Sequence, residues 1–459
     1  MNWLQLPWTE IAIFTPILGG LIVTLIPNIE LAGKWTFSVT LLTLVATLLA
    51  LVAVHNTVPD PGLDLCGNWF GRCIFRLDTF SAPLLPMVAI LHVLTVLATS
   101  QVKRNRMSFA GHLFGEGLRL AVFACIDPWP LIALLSLSVV PPYFELVSRG
   151  KPTRVFVLHM GAFIALLILG WLGVEAGLTV GSILLVLAVL LRSGTLPGHL
   201  WVANLFEHAT FGTALLFVTP ITGMYVAVRL VLPNSPDWVL QSIGIVSLVT
   251  AIYAAGMAVV QRDGRRFIAY LFLSNASLVL VGLELHTTTS LTGALCLWVS
   301  VALSLGGLGL TMRALEARFG RLSLTTHLGL YDQAPTLAVG FLLMGLASVG
   351  FPGTLGFVAA EMLLDGVINA NPVIGVGLIF VAALNGIAVL RAYTLLFTGC
   401  SPRTNLLLNS TTPERIAVLV LASMVLIGGL WPAPGVSDRR AAAVQILHLA
   451  EPDQAVGHE

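Results

Sequence analysis

The feature that most constrains this chain is a series of apolar stretches, each about 17 to 25 residues long, recurring from position 9 to position 434. A helix of that length matches the hydrocarbon thickness of a bilayer, whereas a barrel strand is shorter and alternates in polarity. Within a bilayer every backbone polar group must be satisfied by the protein itself, which leaves helices and closed barrels as spanning structures. The stretches do not alternate, so they read as helices. Only 10% of the 459 residues are charged and 57% are hydrophobic, against about a quarter charged in soluble domains. Lipid must therefore cover most of the outer surface. The expected fold class is an all-α integral membrane protein of about fourteen transmembrane helices.

The spans read as 9–27, 35–55, 80–100, 108–126, 128–147, 155–173, 176–197, 209–231, 237–260, 266–285, 288–312, 335–371, 373–397 and 415–434. No small-residue cleavage site follows the first, so it reads as retained. Residues 1–459 read as a single polytopic domain, with a polar tail over 436–459 expected to lie outside the bundle. The loops after odd-numbered spans collect Lys34, Lys103, Arg104, Arg106, Arg149, Lys151, Arg154, Arg262, Arg265, Arg266, Arg313, Arg318, Arg321, Arg403 and Arg415. Those after even-numbered spans hold little beyond Arg72 and Arg76. The positive-inside bias puts the odd loops in the cytoplasm. The expected location is the inner (cytoplasmic) membrane of the cell, with both termini on the outer side.

Composition also sets limits on partners and cofactors. A net charge of +1 gives no attraction to nucleic acid. No dinucleotide fingerprint follows a strand, so no cofactor is expected and no redox chemistry is assigned to this chain. Cys66 and Cys73, with six residues between them in the outer loop 56–79, form a disulfide if the exterior is oxidising and remain free thiols otherwise. Cys125, Cys296 and Cys400 read as core residues, and no cysteine or histidine grouping has metal-site spacing, so no metal is expected.

Two spans are interrupted. The seventh runs into Arg192-Ser-Gly-Thr-Leu-Pro197-Gly-His199-Leu-Trp201, and the twelfth contains Gly350-Phe-Pro352-Gly353-Thr-Leu-Gly356-Phe357. Such breaks free backbone groups and are tolerated where protein or a hydrated cavity satisfies them. A pair of them five helices apart is the mark of a transporter with repeated halves.

The spacing Arg192, Pro197, His199, Trp201 resembles the Lys-x4-Pro-x-His-x-Trp pattern of the antiporter-like membrane subunits of respiratory complex I, Mrp-type antiporters and membrane-bound hydrogenases, with Arg in place of Lys. Thr213-Ala-Leu-Leu216, Gly223-Met-Tyr225 with Arg229, and Asp263-Gly-Arg265-Arg266-Phe-Ile-Ala269-Tyr270 resemble that family's next signatures in order. Gly350 to Phe357 resembles its broken twelfth helix. The resemblance covers about residues 75 to 400 and is closest to the subunit 4 (chain M) type, since no long lateral helix follows the last span. It implies a core of two inverted five-helix repeats, each with one broken helix (7 and 12). It also implies a membrane subunit, not itself catalytic, of an NADH:quinone oxidoreductase-type proton-translocating complex. The expected partners are other membrane subunits and the lipid bilayer, with protons or monovalent cations as the transported species. The alternatives are a non-conducting structural subunit, or a membrane partner in an Mrp-type cation/proton antiporter or an inorganic-carbon uptake complex.

The family moves protons along a central line of buried Glu, Lys and His, and this chain departs from that line. Its only lysines, Lys34, Lys103 and Lys151, fall in expected loops. The seventh-helix position is Arg192, and arginine stays protonated in proteins. The fifth-helix Glu aligns with Ser136, the eighth-helix Lys with Ile221 or Thr222, the eleventh-helix His and Lys with Ser300 to Ser304, and the twelfth-helix group with Ala360, one before Glu361. The proton-pathway candidates are thus Arg192, His199, Glu361, Glu145 and His159. The motif residues Pro197, Trp201, Asp263, Arg265, Arg266 and Pro352 are assigned structural roles. His92 also sits mid-span, and a lone histidine there is more often satisfied by helix contacts. Arg192 costs roughly 2.5 kcal/mol or more to insert and needs a carboxylate or the carbonyls freed by the break.

Overall fold

The computed structural model describes residues 6–56, 74–99, 107–219, 221–283, 287–368, 371–399 and 410–450, and these residues are helical nearly throughout. In chain order the helices are α1 (Trp8–Val23), α2 (Ile29–His55), α3 (Leu84–Leu97), α4 (Phe109–Ala124), α5 (Pro128–Ser138), α6 (Val140–Ser148), α7 (Arg154–Glu175), α8 (Thr179–Ser193), α9 (Leu200–His208), α10 (Phe211–Val218) and α11 (Thr222–Val226). There follow α12 (Asp237–Val260), α13 (Gly264–Val281), α14 (Thr288–Phe319), α15 (Pro335–Val349), α16 (Leu355–Ile368), α17 (Pro372–Phe397), α18 (Thr412–Leu430) and α19 (Ala433–Ala450). Among the described residues, eight helical stretches are long and apolar enough to cross a membrane by length and composition.

Local chemistry sets the ends. Asn28 caps α2 by accepting from the Glu30 and Leu31 amides, and Ser108 caps α4 through the Gly111 amide. Thr411 and Glu414 form a capping box at the start of α18. Proline opens α5, α15 and α17, where its missing N–H costs nothing. Gly194 (φ 74°) stops α8 and Gly350 (φ 84°) stops α15, both in the left-handed region that glycine enters without a Cβ penalty.

The centre of the bundle is α14. Of its membrane-length window 94% is buried, against 28% for α7, so α14 is an axis and α7 a lipid-facing wall. Around α14 pack α3, α10, α13, α15, α16, α18 and α19. The tightest crossing is with α16: a Cβ on Gly293 would lie 2.5 Å from the Leu363 amide nitrogen, and one on Gly366 would lie 2.6 Å from that of Ser290. Small residues substitute here for the hydrophobic effect, which cannot draw helices together in lipid.

Several expectations need correction. The fifth span is two helices, α5 and α6, meeting at Val139 before Pro141 and Pro142. The eighth is also broken. It comprises α10, then α11 and a π turn over Ala227–Val231, with Ile221 at φ 44° between the first two. Lys34, Arg313, Arg318 and Arg415 lie within helices, not loops. Lys34 remains outward, paired with Glu30 one turn away at 2.9 Å. The described part of the tail, residues 436–450, stays on the bundle, because it belongs to α19, packed on α14. There the buried Arg439 donates to the carbonyls of Phe80 (3.0 Å) and Thr79 (2.7 Å). Ala442, Ala443 and Ile446, which recur at helical spacing, are buried and give α19 an inner face. Cys125 and Cys296 are buried free thiols, while Cys66, Cys73 and Cys400 lie outside the described residues.

Candidate functional site

The break between α8 and α9 is satisfied by protein. The Trp201 indole donates to the Leu191 carbonyl (2.9 Å), the Thr195 hydroxyl to the Leu190 carbonyl (3.0 Å), and the Leu196 amide to the Thr250 hydroxyl on α12 (3.0 Å). Pro197 follows a cis peptide bond in this turn. Arg192, in the last turn of α8, is buried and meets no carboxylate among the described residues. Its guanidinium lies 4.2 Å from the Phe217 ring centroid and 5.4 Å from that of Trp201, and it donates to the Phe217 carbonyl at 3.3 Å. That carbonyl belongs to the last turn of α10, beside the eighth-span break. Arg192 thus finds its expected carbonyl partner at a break, but in the neighbouring span.

The other pathway candidates do not converge on Arg192. His199 caps the start of α9, with its ring against Tyr253 and its Nε2 3.4 Å from the Tyr253 hydroxyl. His159 is half-buried on α7 and bonds the Val155 carbonyl of its own helix at 2.8 Å. Glu145 accepts from the Thr210 amide (2.6 Å) and from the Thr213 hydroxyl, so it caps the N-terminus of α10 from α6. Glu361 is exposed on the outer side of α16, whereas Ala360 lines a small interior cavity with Asn275, Ser348 and Asn385. Buried hydroxyls stand along the centre instead of charges: Ser193, Thr219, Thr222 and Ser304 have no hydrogen-bond partner among the described residues.

The remaining motif residues act as staples. The Tyr225 hydroxyl lies within hydrogen-bonding distance of the carbonyls of Phe123 (3.0 Å) and Cys125 (2.8 Å), and Arg229 pairs with Asp78 at 2.7 Å. Asp263 caps α13 through the Arg265 and Arg266 amides and accepts from Arg321 at 2.6 Å. Arg265 grips Glu316 of α14 through two bonds (2.7 and 2.8 Å) and also donates to the carbonyls of Phe206 and Ala209. Arg266 and Arg321 both reach Glu207. Burial raises the Glu207 carboxyl, but these two guanidinium groups outweigh it and hold it below the usual glutamate value. Pro352 lies in the turn between α15 and α16.

One constellation escaped the sequence reading. The fourth span carries His112, Glu116 and Arg119 at i, i+4 and i+7, a spacing that sets all three on one face of α4. That pattern in an otherwise apolar span was the available signal. Opposite them on α3 is His92, whose Nδ1 is 3.2 Å from Nε2 of His112, while Arg119 Nε donates to His92 Nε2 at 3.2 Å. His92 is therefore satisfied by another helix, not by its own. Both oxygens of the buried Glu116 lack any hydrogen-bond partner among the described residues. His112 lines a cavity of about 80 Å³ with Thr95, Arg149, Thr210, Arg265 and Arg313. One ligand atom from each of His92, His112 and Glu116 lies within 4.8 Å of the others, a spacing that by distance alone admits a cation. The donor set does not fit one. A metal-bound imidazole presents its second N–H to an acceptor, and here the second nitrogen of His92 faces the Arg119 donor.

Comparison with known proteins agrees with this architecture. The family described as NADH:quinone oxidoreductase/Mrp antiporter, TM matches residues 158–385. NADH-quinone oxidoreductase subunit M of Pseudomonas aeruginosa is 25% identical over 96% of both chains, and F(420)H(2) dehydrogenase subunit M of Methanosarcina mazei is 23% identical over 94% of this chain and 96% of its own. A chain of respiratory complex I from Thermus thermophilus superposes with a TM-score of 0.82 at 21% identity, covering 96% of this chain and 99% of that one. A chain of the Mrp complex from a Dietzia species does so with 0.83 at 16%, covering 99% and 98%. With the signatures, the breaks and the fold in agreement, the chain is similar along nearly its whole length to the antiporter-like membrane subunits of NADH:quinone oxidoreductases and Mrp antiporters.

Proposed function

We propose that this chain is a membrane subunit of a complex-I-like proton-translocating assembly whose central lysine relay has been replaced by arginine and hydroxyl groups. Its redox partners are other subunits, and its own part is mechanical and protonic. The observation that carries this reading is Arg192: the family's break is kept, yet the side chain beside it is a cation clasped by two aromatic rings and a carbonyl. A guanidinium held in that way stabilises the broken helices but does not release its proton. Elsewhere in the chain Ser136, Ile221 or Thr222, Ser300 to Ser304 and Ala360 align with the positions where the family carries ionisable groups. The same reading includes about fourteen crossings, two inverted repeats with one break each, and both termini outside. Reporter fusions at residue 459 and in the 262–266 turn should report opposite sides, with the tail outside. The reverse orientation overturns the topology.

Reconstitution tests the protonic part. Liposomes containing the chain alone and a trapped pH-sensitive dye should show little proton uptake under a potassium diffusion potential. Rapid uptake abolished by His199→Gln or Glu361→Gln would overturn the lost relay. Isolation of the tagged chain from its native membrane should bring down quinone-site and dehydrogenase subunits. Recovery with cation/proton antiporter subunits alone would favour the Mrp-type reading.

A further inference from the structure

The His92–His112–Glu116–Arg119 cluster lies between α3 and α4, outside the broken segments themselves, and is a place in the described interior where several titratable side chains meet without an obvious structural task. We infer that it is a one-proton site, with Glu116 as the holder and His112 as its door to the cavity beside Arg149, Thr210 and Arg313.

The hydrogen-bond directions fix the starting state. Arg119 Nε is a donor, so the His92 Nε2 it reaches carries no proton. His92 must then bear its proton on Nδ1 and donate it to Nε2 of His112, which leaves His112 protonated on Nδ1. Neither imidazole is charged in this arrangement. Glu116 has no donor on either oxygen. An ionised carboxylate without donors in an apolar interior is strongly disfavoured, so Glu116 holds the proton.

The same geometry supplies a second state. Arg119 stands one turn beyond Glu116 on α4, and its guanidinium folds back along the helix into space left by Gly115, where a Cβ would be 2.8 Å from Nη2. When Glu116 gives up its proton, that guanidinium turns from His92 to the new carboxylate. His92 Nε2 is then free, the imidazole pair accepts the proton, and the cluster keeps one net positive charge throughout. Transfer onward means that His112 passes a proton to the cavity it lines. The gap of up to 4.8 Å between ligand atoms is one that a single water or a rotamer change closes. The charged groups facing the cluster from neighbouring elements are Arg192 of α8, Arg313 of α14, Glu145 of α6 with Arg149 at its end, and the buried Glu10 of α1.

The experiment uses the full-length chain in lipid nanodiscs, without partner subunits, so its outcome is independent of which complex the chain serves. Infrared spectra should contain a buried carboxylic-acid carbonyl band that disappears in Glu116→Gln and moves in Glu116→Asp. In deuterated buffer the band should shift as its proton exchanges, and His112→Gln should slow that exchange roughly 100-fold, the usual contribution of a positioned proton carrier. Gly115→Ala, which displaces Arg119, should perturb the nitrogen resonances of His92 while leaving the fold intact. The inference is overturned if no acid band is lost with Glu116 at any pH where the chain is folded, or if exchange is as fast in His112→Gln as in the native chain. Stoichiometric zinc binding abolished by His112→Gln would overturn it as well, since the site would then be a metal site.

Discussion

Replacing Arg192 by methionine should cost little, and the reason is visible in its surroundings. The sequence alone suggests that removing this arginine strands a charged partner, a loss of about 3 to 5 kcal/mol for a buried pair. Among the described residues no carboxylate lies against it. What methionine gives up is cation–π contact with Phe217 and Trp201, about 2 kcal/mol when desolvated. It also gives up one long hydrogen bond to the Phe217 carbonyl, at the lower end of about 1.5 to 3 kcal/mol for a charged donor. What it regains is the insertion penalty of the guanidinium, about 2.5 to 3.5 kcal/mol. The balance is a loss between about 0 and 1 kcal/mol for Arg192→Met. Arg192→Ala adds the cavity left by a large side chain, about 2 to 5 kcal/mol. Unfolding in detergent, followed by tryptophan fluorescence, should therefore separate the two variants widely. Arg192→Met as damaging as Arg192→Ala would refute the reasoning, because it would mean that a charge elsewhere depends on Arg192.

Other staples should respond differently. Arg265→Ala removes the bidentate partner of Glu316 and leaves the Phe206 and Ala209 carbonyls without their donor, so a loss of about 3 to 5 kcal/mol is expected, measured by the same unfolding assay; a loss below 1 kcal/mol would show the network to be ornamental. Tyr225→Phe deletes a hydroxyl placed between two buried carbonyls and should cost about 1 to 3 kcal/mol, read as a lowered Tm. Asp78, in the turn before α3, is pushed up by burial, but the Arg229 guanidinium and the Ser81 amide and hydroxyl outweigh that and hold its carboxyl below the usual aspartate range. A depressed folded value means that the stabilisation is complete above the unfolded value of about 3.9 and is lost as pH falls through the folded one. The stability gap between the native chain and Asp78→Asn should therefore be constant near neutrality and close below about pH 4; a gap that instead closes on raising the pH would reverse the sign of the coupling.

The sequence by itself determined what depends on local chemistry and on lipid as a solvent. The apolar lengths require helices, and Gly194, Pro197 and the Gly350–Gly353 turn stop two of them, because these residues interrupt a helix whatever surrounds them. Tertiary structure decided which side chains meet. Ala360 and Glu361 are neighbours in sequence, but successive residues on a helix point about 100° apart, so one lines the interior and the other faces outward. Arg192 could be read as a buried cation needing a partner; that the partner is the Phe217 ring and carbonyl follows from how α10 lies against α8. The tail reads as polar, yet Arg439 anchors α19 to the Phe80 and Thr79 carbonyls, which only the folded chain brings near. His112, Glu116 and Arg119 share a face because of helical spacing, a local property. Their meeting with His92, twenty residues earlier, depends on the packing of α3 against α4, and no local rule contains that information.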